Sequence, residues 1–204
     1  MTTYVLPSDA DGMPSSWALL PVINQQVFAA RNLDSQRELG GGSRFSLRLT
    51  YNVRTGRVHE RLVNVFEAAS VPGDDLLVRF ASSLGYDPGD NIPTVVTSAI
   101  ARARSRTIPV NVATTSVIDG KLFSADDRLY RTRNHASVGT GRTITVGWPL
   151  RADIPAGTSL RFHDPRAKFV VVAEPPSFPV RGYNTRGGKR EIGGPLIVEL
   201  VELR

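Results

Sequence analysis

The chain contains no cysteine among its 204 residues. This absence excludes disulfides, thiolate catalysis and Cys-ligated zinc or iron–sulfur sites. The three histidines, His59, His135 and His163, show no His-x-x-x-His or His-Glu-x-x-His spacing, so no metal site is expected. No apolar run reaches the roughly 18 residues of a membrane span, and the first residues lack the basic-then-apolar pattern of a signal peptide. We therefore expect a soluble protein of a reducing, intracellular compartment, without a cofactor and without a membrane partner.

The chain also contains little lysine. Its lysines are Lys121, Lys168 and Lys189, and the other basic residues, histidine aside, are arginines. The formal net charge is +6 and is unevenly placed. Residues 1–100 carry eight basic and ten acidic groups, whereas residues 101–204 carry seventeen and nine. Arginine offers a planar fork that suits phosphate groups. The pattern fits contact with nucleic acid, and a plain solvated basic surface is the alternative.

Catalytic and nucleotide-binding motifs are missing from the sequence. There is no Gly-x-Ser-x-Gly elbow. The glycine triplet Gly40–Gly42 is not followed by the Lys-Ser/Thr of a phosphate loop, and Gly139-Thr-Gly141-Arg142 lacks the third glycine of a dinucleotide fingerprint. Asp126 and Asp127 are adjacent and predict a turn before Arg128 rather than a cation site. We expect a protein that is not an enzyme; a nuclease or transferase with a hidden site is the alternative.

The clearest local pattern is the strict alternation of apolar and polar residues from Arg44 to Val53, which predicts a β-strand. A turn at Thr55-Gly56 and a return strand from Arg57 to Phe66 would complete a hairpin. Its second strand would place Arg57, His59 and Arg61 on one face. That face is either a solvated outer surface or a basic platform for a partner.

Two helices are predicted to follow, as a short helical insertion around residues 74–104. Asp74 can cap the first helix, and Gly85 can end it. The second would begin near Pro93 and present an apolar stripe. Its last turn would carry Arg102, Arg104 and Arg106, more cations than a helix C-terminus needs. The stripe consists of Ile92, Val95, Val96, Ala99, Ile100 and Ala103.

Beyond Ile108 the sequence predicts short strands separated by Gly, Pro and Asp, the pattern of a sandwich rather than of βαβ units. We expect a mainly β protein, an antiparallel, jelly-roll-like β-sandwich. Residues 1–24 would form an extended N-terminal arm that lies on the domain through Tyr4, Leu6 and Trp17, and residues 25–204 a single shell-type domain. The pattern leaves residues 22–30 open as strand or short helix. The later strands are predicted at 108–117, 121–123, 143–148, 159–162, 169–173 and 196–203.

The last third of the chain contains two apolar strands joined by a basic, glycine-rich segment. The closing pattern of Gly194, Leu196, Val198 and Val201-Glu202-Leu203 resembles the end of the single jelly-roll coat proteins of small plus-strand RNA viruses. The resemblance covers about the last fifth of the chain. It implies a shell-forming capsid protein of a virion, assembled in the host cytoplasm. The arginine-rich arm with which those coats commonly begin is missing, since residues 1–36 hold one basic residue, Arg31.

Interleaved arginine and aromatic side chains from Arg128 to His135 fit single-stranded RNA, because cations meet phosphates and rings meet bases. Arg131 and Arg133 would share one side of an extended chain, with Tyr130 close enough for stacking. A basic loop that pairs with Asp126, Asp127 or another subunit is the alternative. The predicted nucleic-acid-binding residues are Arg102, Arg104, Arg106, Arg131, Arg133, Arg142, Arg186, Lys189 and Arg190.

From these observations the sequence favours a viral coat protein that assembles with itself and binds genomic nucleic acid, most simply single-stranded RNA, through arginine. Trp148, Leu150, Phe178 and Tyr183 fall in expected loops, where apolar residues often form subunit contacts. The alternative is a single-stranded nucleic-acid-binding β-domain that forms no shell.

Overall fold

The protein is mainly β, as its sequence predicts. The structure is a computed structural model, and it describes residues 2–8, 13–22, 25–29, 35–39, 44–52, 57–89, 92, 94–111, 120–138, 141–172, 180–181, 191–192 and 196–203. The strands are β1 (Thr3–Val5), β2 (Ser16–Val22), β3 (Gln25–Ala29), β4 (Ser35–Leu39), β5 (Arg44–Tyr51), β6 (Asp75–Arg79), β7 (Val95–Val96), β8 (Thr107–Pro109), β9 (Leu122–Ala125), β10 (Arg128–Val138), β11 (Gly141–Val146), β12 (Ser159–Leu160), β13 (Arg166–Val171), β14 (Val180–Arg181), β15 (Glu191–Ile192) and β16 (Leu196–Glu202). The helices of the described residues are α1 (Arg57–Ala69) and α2 (Phe80–Leu84).

The chain divides into two compact units. The first, here called the sheet unit, contains Met1–Leu20, Ser46–Asp87 and Arg166–Leu203. The second, here called the ring unit, contains Pro21–Phe45 and Pro88–Pro165, together with Arg204. The single domain predicted over residues 25–204 spans parts of both units.

The sheet unit is built on six strands in the order β1-β6-β13-β16-β5-β2. Strands β1 and β6 are parallel, and the pairs β6–β13, β13–β16 and β16–β5 are antiparallel. The strands predicted at the end of the chain are confirmed as β13 and β16. Because β16 is hydrogen-bonded on both sides, its Val198 and Leu200 are buried in the core. The several sheets, most of whose strand pairs are antiparallel, are consistent with the predicted β-sandwich, whereas the jelly-roll arrangement is not confirmed.

One face of this sheet packs on α1. Leu62, Phe66 and Ala69 recur at helical spacing and are buried, and the ring of Phe66 lies 6.0 Å from that of Tyr51 in β5. The prediction of a return strand from Arg57 to Phe66 is therefore wrong. The predicted turn at Thr55-Gly56 lies outside the described residues, and the buried residues from Leu62 onward fit a period of 3.6 rather than 2.

The helical insertion predicted around residues 74–104 is reduced to α2. Residues 75–79 form β6 instead of the start of a helix, although the helix does end at Gly85, which has a positive φ of 66°. The second predicted helix is replaced by β7 and by isolated bridges at Thr97 and Ala101. Its stripe is rich in β-branched residues, which fit a pleated strand as well as a helix, and long-range pairing decides in favour of the strand.

The N-terminal segment is part of the sheet unit rather than an arm laid upon it. Strands β1 and β2 form its two outermost strands. Leu6 is fully buried, and the indole N–H of Trp17 donates a hydrogen bond of 2.9 Å to the carbonyl of Leu84. The segment that the sequence left open between strand and helix contains β3, which pairs with β4.

The ring unit is an antiparallel sheet closed on itself. Strands β8-β11-β10-β9 form one sheet and β12-β7 another. Reciprocal hydrogen bonds of 3.0 and 2.9 Å between Ser124 and Arg161 join β9 to the end of β12. On the other side, the N–H of Asn111 donates to the carbonyl of Val96 over 2.9 Å and joins β8 to β7. The six strands therefore form a closed ring, which leaves none of them as a free edge.

Apolar side chains fill the inside of this ring. The rings of Phe123 and Phe162 stack with centroids 5.0 Å apart, and Phe123 also stacks on Tyr130. The buried cluster consists of Ile92, Val95, Ala101, Ile108, Val110, Phe123, Ala125, Tyr130, Ile144, Val146, Leu150, Ile154, Leu160 and Phe162. Because apolar side chains occupy the interior, Arg131, Arg133 and Arg142 of these strands are exposed, whereas the small polar residues Ser124 and Thr132 are buried. Among the described residues, no helix is long and apolar enough to cross a membrane.

The ring core yields a test of the fold. Replacing Phe162 by alanine should lower the free energy of unfolding by about 3–5 kcal/mol, because it leaves a cavity beside Phe123. Replacing Ile100, which is 43% exposed in the same unit, should change it by less than about 0.5 kcal/mol. Denaturant unfolding followed by Trp148 fluorescence measures both. Equal losses in the two variants would contradict the closed, filled ring.

Candidate nucleic-acid interface

Six of the nine predicted nucleic-acid-binding residues belong to the ring unit, and all six are exposed. They are Arg102, Arg104, Arg106, Arg131, Arg133 and Arg142. The other three, Arg186, Lys189 and Arg190, lie between β14 and β15 and outside the described residues. Strands β14 and β15 themselves pair in antiparallel fashion.

Four arginines lie at one end of the ring: Arg131 and Arg133 belong to β10, and Arg104 and Arg106 lie in the segment just before β8. The N–H of Val146 donates to the carbonyl of Arg106 over 2.9 Å, and the N–H of Gly147 donates to the carbonyl of Arg131 over 3.0 Å. Arg106 and Arg131 therefore flank the same segment, about 10 Å apart at the usual strand spacing. Arg104 lies two residues before Arg106, and Arg133 lies two residues after Arg131. We call Arg104, Arg106, Arg131 and Arg133 the arginine face.

Within the described chain, no member of the arginine face forms an ion pair with a carboxylate. Arg131 uses its Nε to donate to the carbonyl of Gly120 over 3.1 Å. Asp126 and Asp127 form the turn between β9 and β10 with positive φ values of 48° and 56°, so the predicted turn is confirmed. The alternative in which these two carboxylates pair with Arg131 or Arg133 has no support in the described residues.

Arg102, in contrast, has a structural partner. Its Nη1 lies 2.9 Å from Oδ2 of Asp153, while Oδ1 of the same carboxylate accepts a hydrogen bond of 2.7 Å from the N–H of Ala103. The backbone N–H of Ala103, followed by the Arg102 guanidinium, lowers the pKa of Asp153. Arg142 is also engaged, since its Nη1 donates to the carbonyl of Asn111. These two arginines hold turns of the ring unit in place.

The aromatic half of the predicted RNA site is wrong. Tyr130 is only 5% exposed and stacks on Phe123 inside the ring. Successive side chains of a strand point to opposite faces, so an outward Arg131 requires an inward Tyr130. The ring of Tyr130 therefore cannot stack on a base, and the arrangement offers phosphate contacts without base contacts.

A narrow cleft lies beside the arginine face and was not predicted from the sequence. Its open space is about 290 Å³ when the part exposed to solvent is included. Three arginines line it, and no carboxylate does. Arg44 and Arg151 are brought next to Arg131 by folding. Because Arg44 is far from Arg131 and Arg151 in the sequence, no local sequence pattern could predict that the three line one cleft. The lining residues are Arg44, Phe45, Leu129, Tyr130, Arg131, Val146, Trp148, Pro149 and Arg151.

Two of the cleft arginines are held by backbone carbonyls. Nη2 of Arg151 donates to the carbonyl of Leu129 over 3.1 Å, and its Cζ lies 5.4 Å from the centre of the Tyr130 ring. The rings of Phe45 and Trp148 meet edge to face at 5.8 Å and form an apolar wall. The cleft thus combines fixed positive charge with a rigid aromatic wall.

No metal site is found in the part of the chain that the structure describes, where no three His, Asp or Glu residues group together. A ring nitrogen of His163 lies 3.0 Å from the carbonyl of Ile92. His59 and His135 lie in α1 and β10, and the structure does not describe their side chains.

The Asp153 carboxyl provides a pH test. Because its pKa is lowered in the folded state, its contribution to stability is present above the ordinary aspartate pKa of about 3.9 and is lost as pH falls through the lower folded value. An NMR titration of the side-chain carboxyl should give a midpoint below the ordinary value. In Arg102→Ala the midpoint should rise only in part, since the bond from Ala103 remains. A midpoint at or above the ordinary value in the parent would contradict this geometry.

Comparison with known proteins adds no assignment to this geometry: no protein-family model matches the chain, and no curated protein matches its sequence.

Proposed function

We propose that the protein is a structural subunit that assembles with copies of itself, as virus coat proteins do, and holds single-stranded nucleic acid against its arginine face. The observation that carries this proposal is the arginine face itself. Four exposed arginines, two on β10 and two just before β8, have no carboxylate partner in the described residues and form a surface of one sign of charge. Such a surface attracts the phosphate backbone of a polyanion.

The burial of Tyr130 determines the kind of binding that we propose. Phosphate contacts position a nucleic acid without reading its sequence, whereas recognition of bases needs stacking or contacts to base edges. A face with arginine and no accessible ring therefore suits sequence-independent binding. Packaging of a genome requires contact of this kind, because every part of the genome must be accepted.

Support for assembly comes from the two outermost strands of the sheet unit. Neither β1 nor β2 contains a charged residue, and they expose Val5 by 50% and Leu20 by 57%. Proteins usually protect such edges with charges, because an open strand pairs readily with another chain. An uncharged outer strand with exposed apolar residues fits pairing with a second copy.

The second candidate is a single-stranded nucleic-acid-binding protein that forms no shell. The closed ring favours it, because the ring presents the arginine face without requiring any contact between copies. The two functions differ in one observable: only the first produces regular particles when the purified protein is mixed with RNA and viewed by negative-stain microscopy.

The arginine face predicts the salt dependence of RNA binding. In Arg106→Ala/Arg133→Ala the slope of log affinity against log salt should become shallower by about 1.4, since each lost phosphate contact removes about 0.7 for a single strand. Filter binding at several salt concentrations measures the slope. The matched control is Arg48→Ala/Arg79→Ala, which removes two exposed arginines of the sheet unit. An equal change of slope in both variants would remove the arginine face from the proposal.

The outer strands predict the effect of a charge on assembly. Leu20→Lys should shift the protein to smaller species in sedimentation velocity, because a lysine on an outer strand opposes pairing with a second chain. Val71→Lys is the control, since Val71 is 52% exposed but lies outside the strands. A parent protein that stays monomeric at every concentration, with and without RNA, would contradict assembly.

A further inference from the structure

We propose that the cleft lined by Arg44, Arg131 and Arg151 binds a phosphate group. The proposal deepens the proposed function and rests on it for the source of the phosphate, which is the backbone of a bound nucleic acid. The site differs from the open arginine face because its three arginines line one narrow cleft.

The charges of the cleft favour an anion. Three guanidinium groups line a small space that no carboxylate shares. Arg44 forms no ion pair in the part of the chain that the structure describes, and its buried Nε has no hydrogen-bond partner there. Like charges held together repel each other, and buried donors without partners are unfavourable. A bound oxyanion would relieve both effects.

The cleft is organised before any ligand binds. The bond from Nε of Arg131 to Gly120 and the bond from Nη2 of Arg151 to Leu129 fix the direction of both side chains. Because Arg131 is tied through Nε, that bond does not use its two terminal nitrogens. Guanidinium groups held in this way bind oxyanions in bidentate fashion at little further entropic cost.

The dimensions of the cleft limit the ligand to a small group. Its open space of about 290 Å³ includes the mouth, and Phe45 and Trp148 are packed against each other rather than parted to receive a base. Because these two rings are packed together, a base has no slot between them, and the ligand that we propose is a single tetrahedral oxyanion at the mouth. Three positive charges favour phosphate over a singly charged carboxylate.

Trp148 in the wall of the cleft provides the measurement. The chain has two tryptophans, and Trp17→Phe leaves Trp148 as the only one. In this background, inorganic phosphate should change the fluorescence in a saturable way, whereas sodium chloride at equal ionic strength should not. A short single-stranded RNA should give the same change. Sodium acetate is the carboxylate probe.

The decisive variant is Arg44→Ala, because Arg44 lies outside the arginine face. It should weaken phosphate binding about tenfold or more, as expected for the loss of a charge-assisted hydrogen bond. Arg161→Ala is the matched control: Arg161 is an exposed arginine of the ring unit that does not line the cleft. Circular dichroism and thermal melting establish that both variants are folded. Equal affinity for phosphate in the parent and in Arg44→Ala would overturn the site.

The remaining outcomes separate this site from the proposed function. A saturable response to phosphate but none to RNA would keep the phosphate site and overturn nucleic acid as its source. Binding of RNA on filters, without a saturable response of Trp148 to phosphate, would overturn the site and leave the proposed function standing. Acetate that binds as tightly as phosphate would also overturn the site, because the cleft would then suit a carboxylate of a protein partner.

Discussion

The closure of the six-stranded ring by backbone hydrogen bonds is the constraint on which the surface chemistry of this protein depends. Two short contacts, between Ser124 and Arg161 and between Val96 and Asn111, turn two small sheets into one closed sheet. Once closed, the ring has an inside that Phe123, Phe162 and their neighbours fill. In β10, Arg131 and Arg133 alternate with the buried residues Tyr130 and Thr132, so the packing of the core directs these two arginines outward. This half of the arginine face is thus a consequence of the core.

Much of the sheet architecture was predictable from local patterns, and the reasons are physical. Strand β5 alternates strictly because one of its faces is buried, and the apolar run of β16 reflects pairing on both sides. Helix α1 was not predicted because Arg57, His59 and Arg61 alternate as in a strand. This alternation obscured the helical spacing of Leu62, Phe66 and Ala69. The stripe from Ile92 to Ala103 fits helix and strand alike. Only the pairing of Thr97 and Ala101 with distant residues resolves that ambiguity.

The candidate site was predictable only where its residues are close in sequence. Arg131 and Arg133 could be predicted together because residues two positions apart in an extended chain lie on the same face. The prediction that Tyr130 stacks on a base is wrong for the same geometric reason. Tyr130 is next to Arg131 in the strand and therefore points to the opposite face, which is the inside of the ring. No sequence pattern marked Arg44 and Arg151 as site residues. Arg44 reaches the cleft from β5 and Arg151 from a loop, and only the fold brings the two together. Local periodicity shows which side chains share a face of a strand or helix. It does not show which faces of elements distant in sequence pack together.

The route of the chain between the two units has an evolutionary consequence. Each excursion into the ring unit leaves from one strand of the six-stranded sheet and returns on its neighbour: residues 21–45 connect β2 to β5, and residues 88–165 join the end of the β6–α2 segment to β13. Opposite Arg79 in β6 stands Arg166, the first residue of β13. Because β6 and β13 are antiparallel, the second excursion occupies the place of a hairpin connection. A sheet connected in this way is modular, since its loops can be lengthened, exchanged or shortened in descendants without changing the order of its strands.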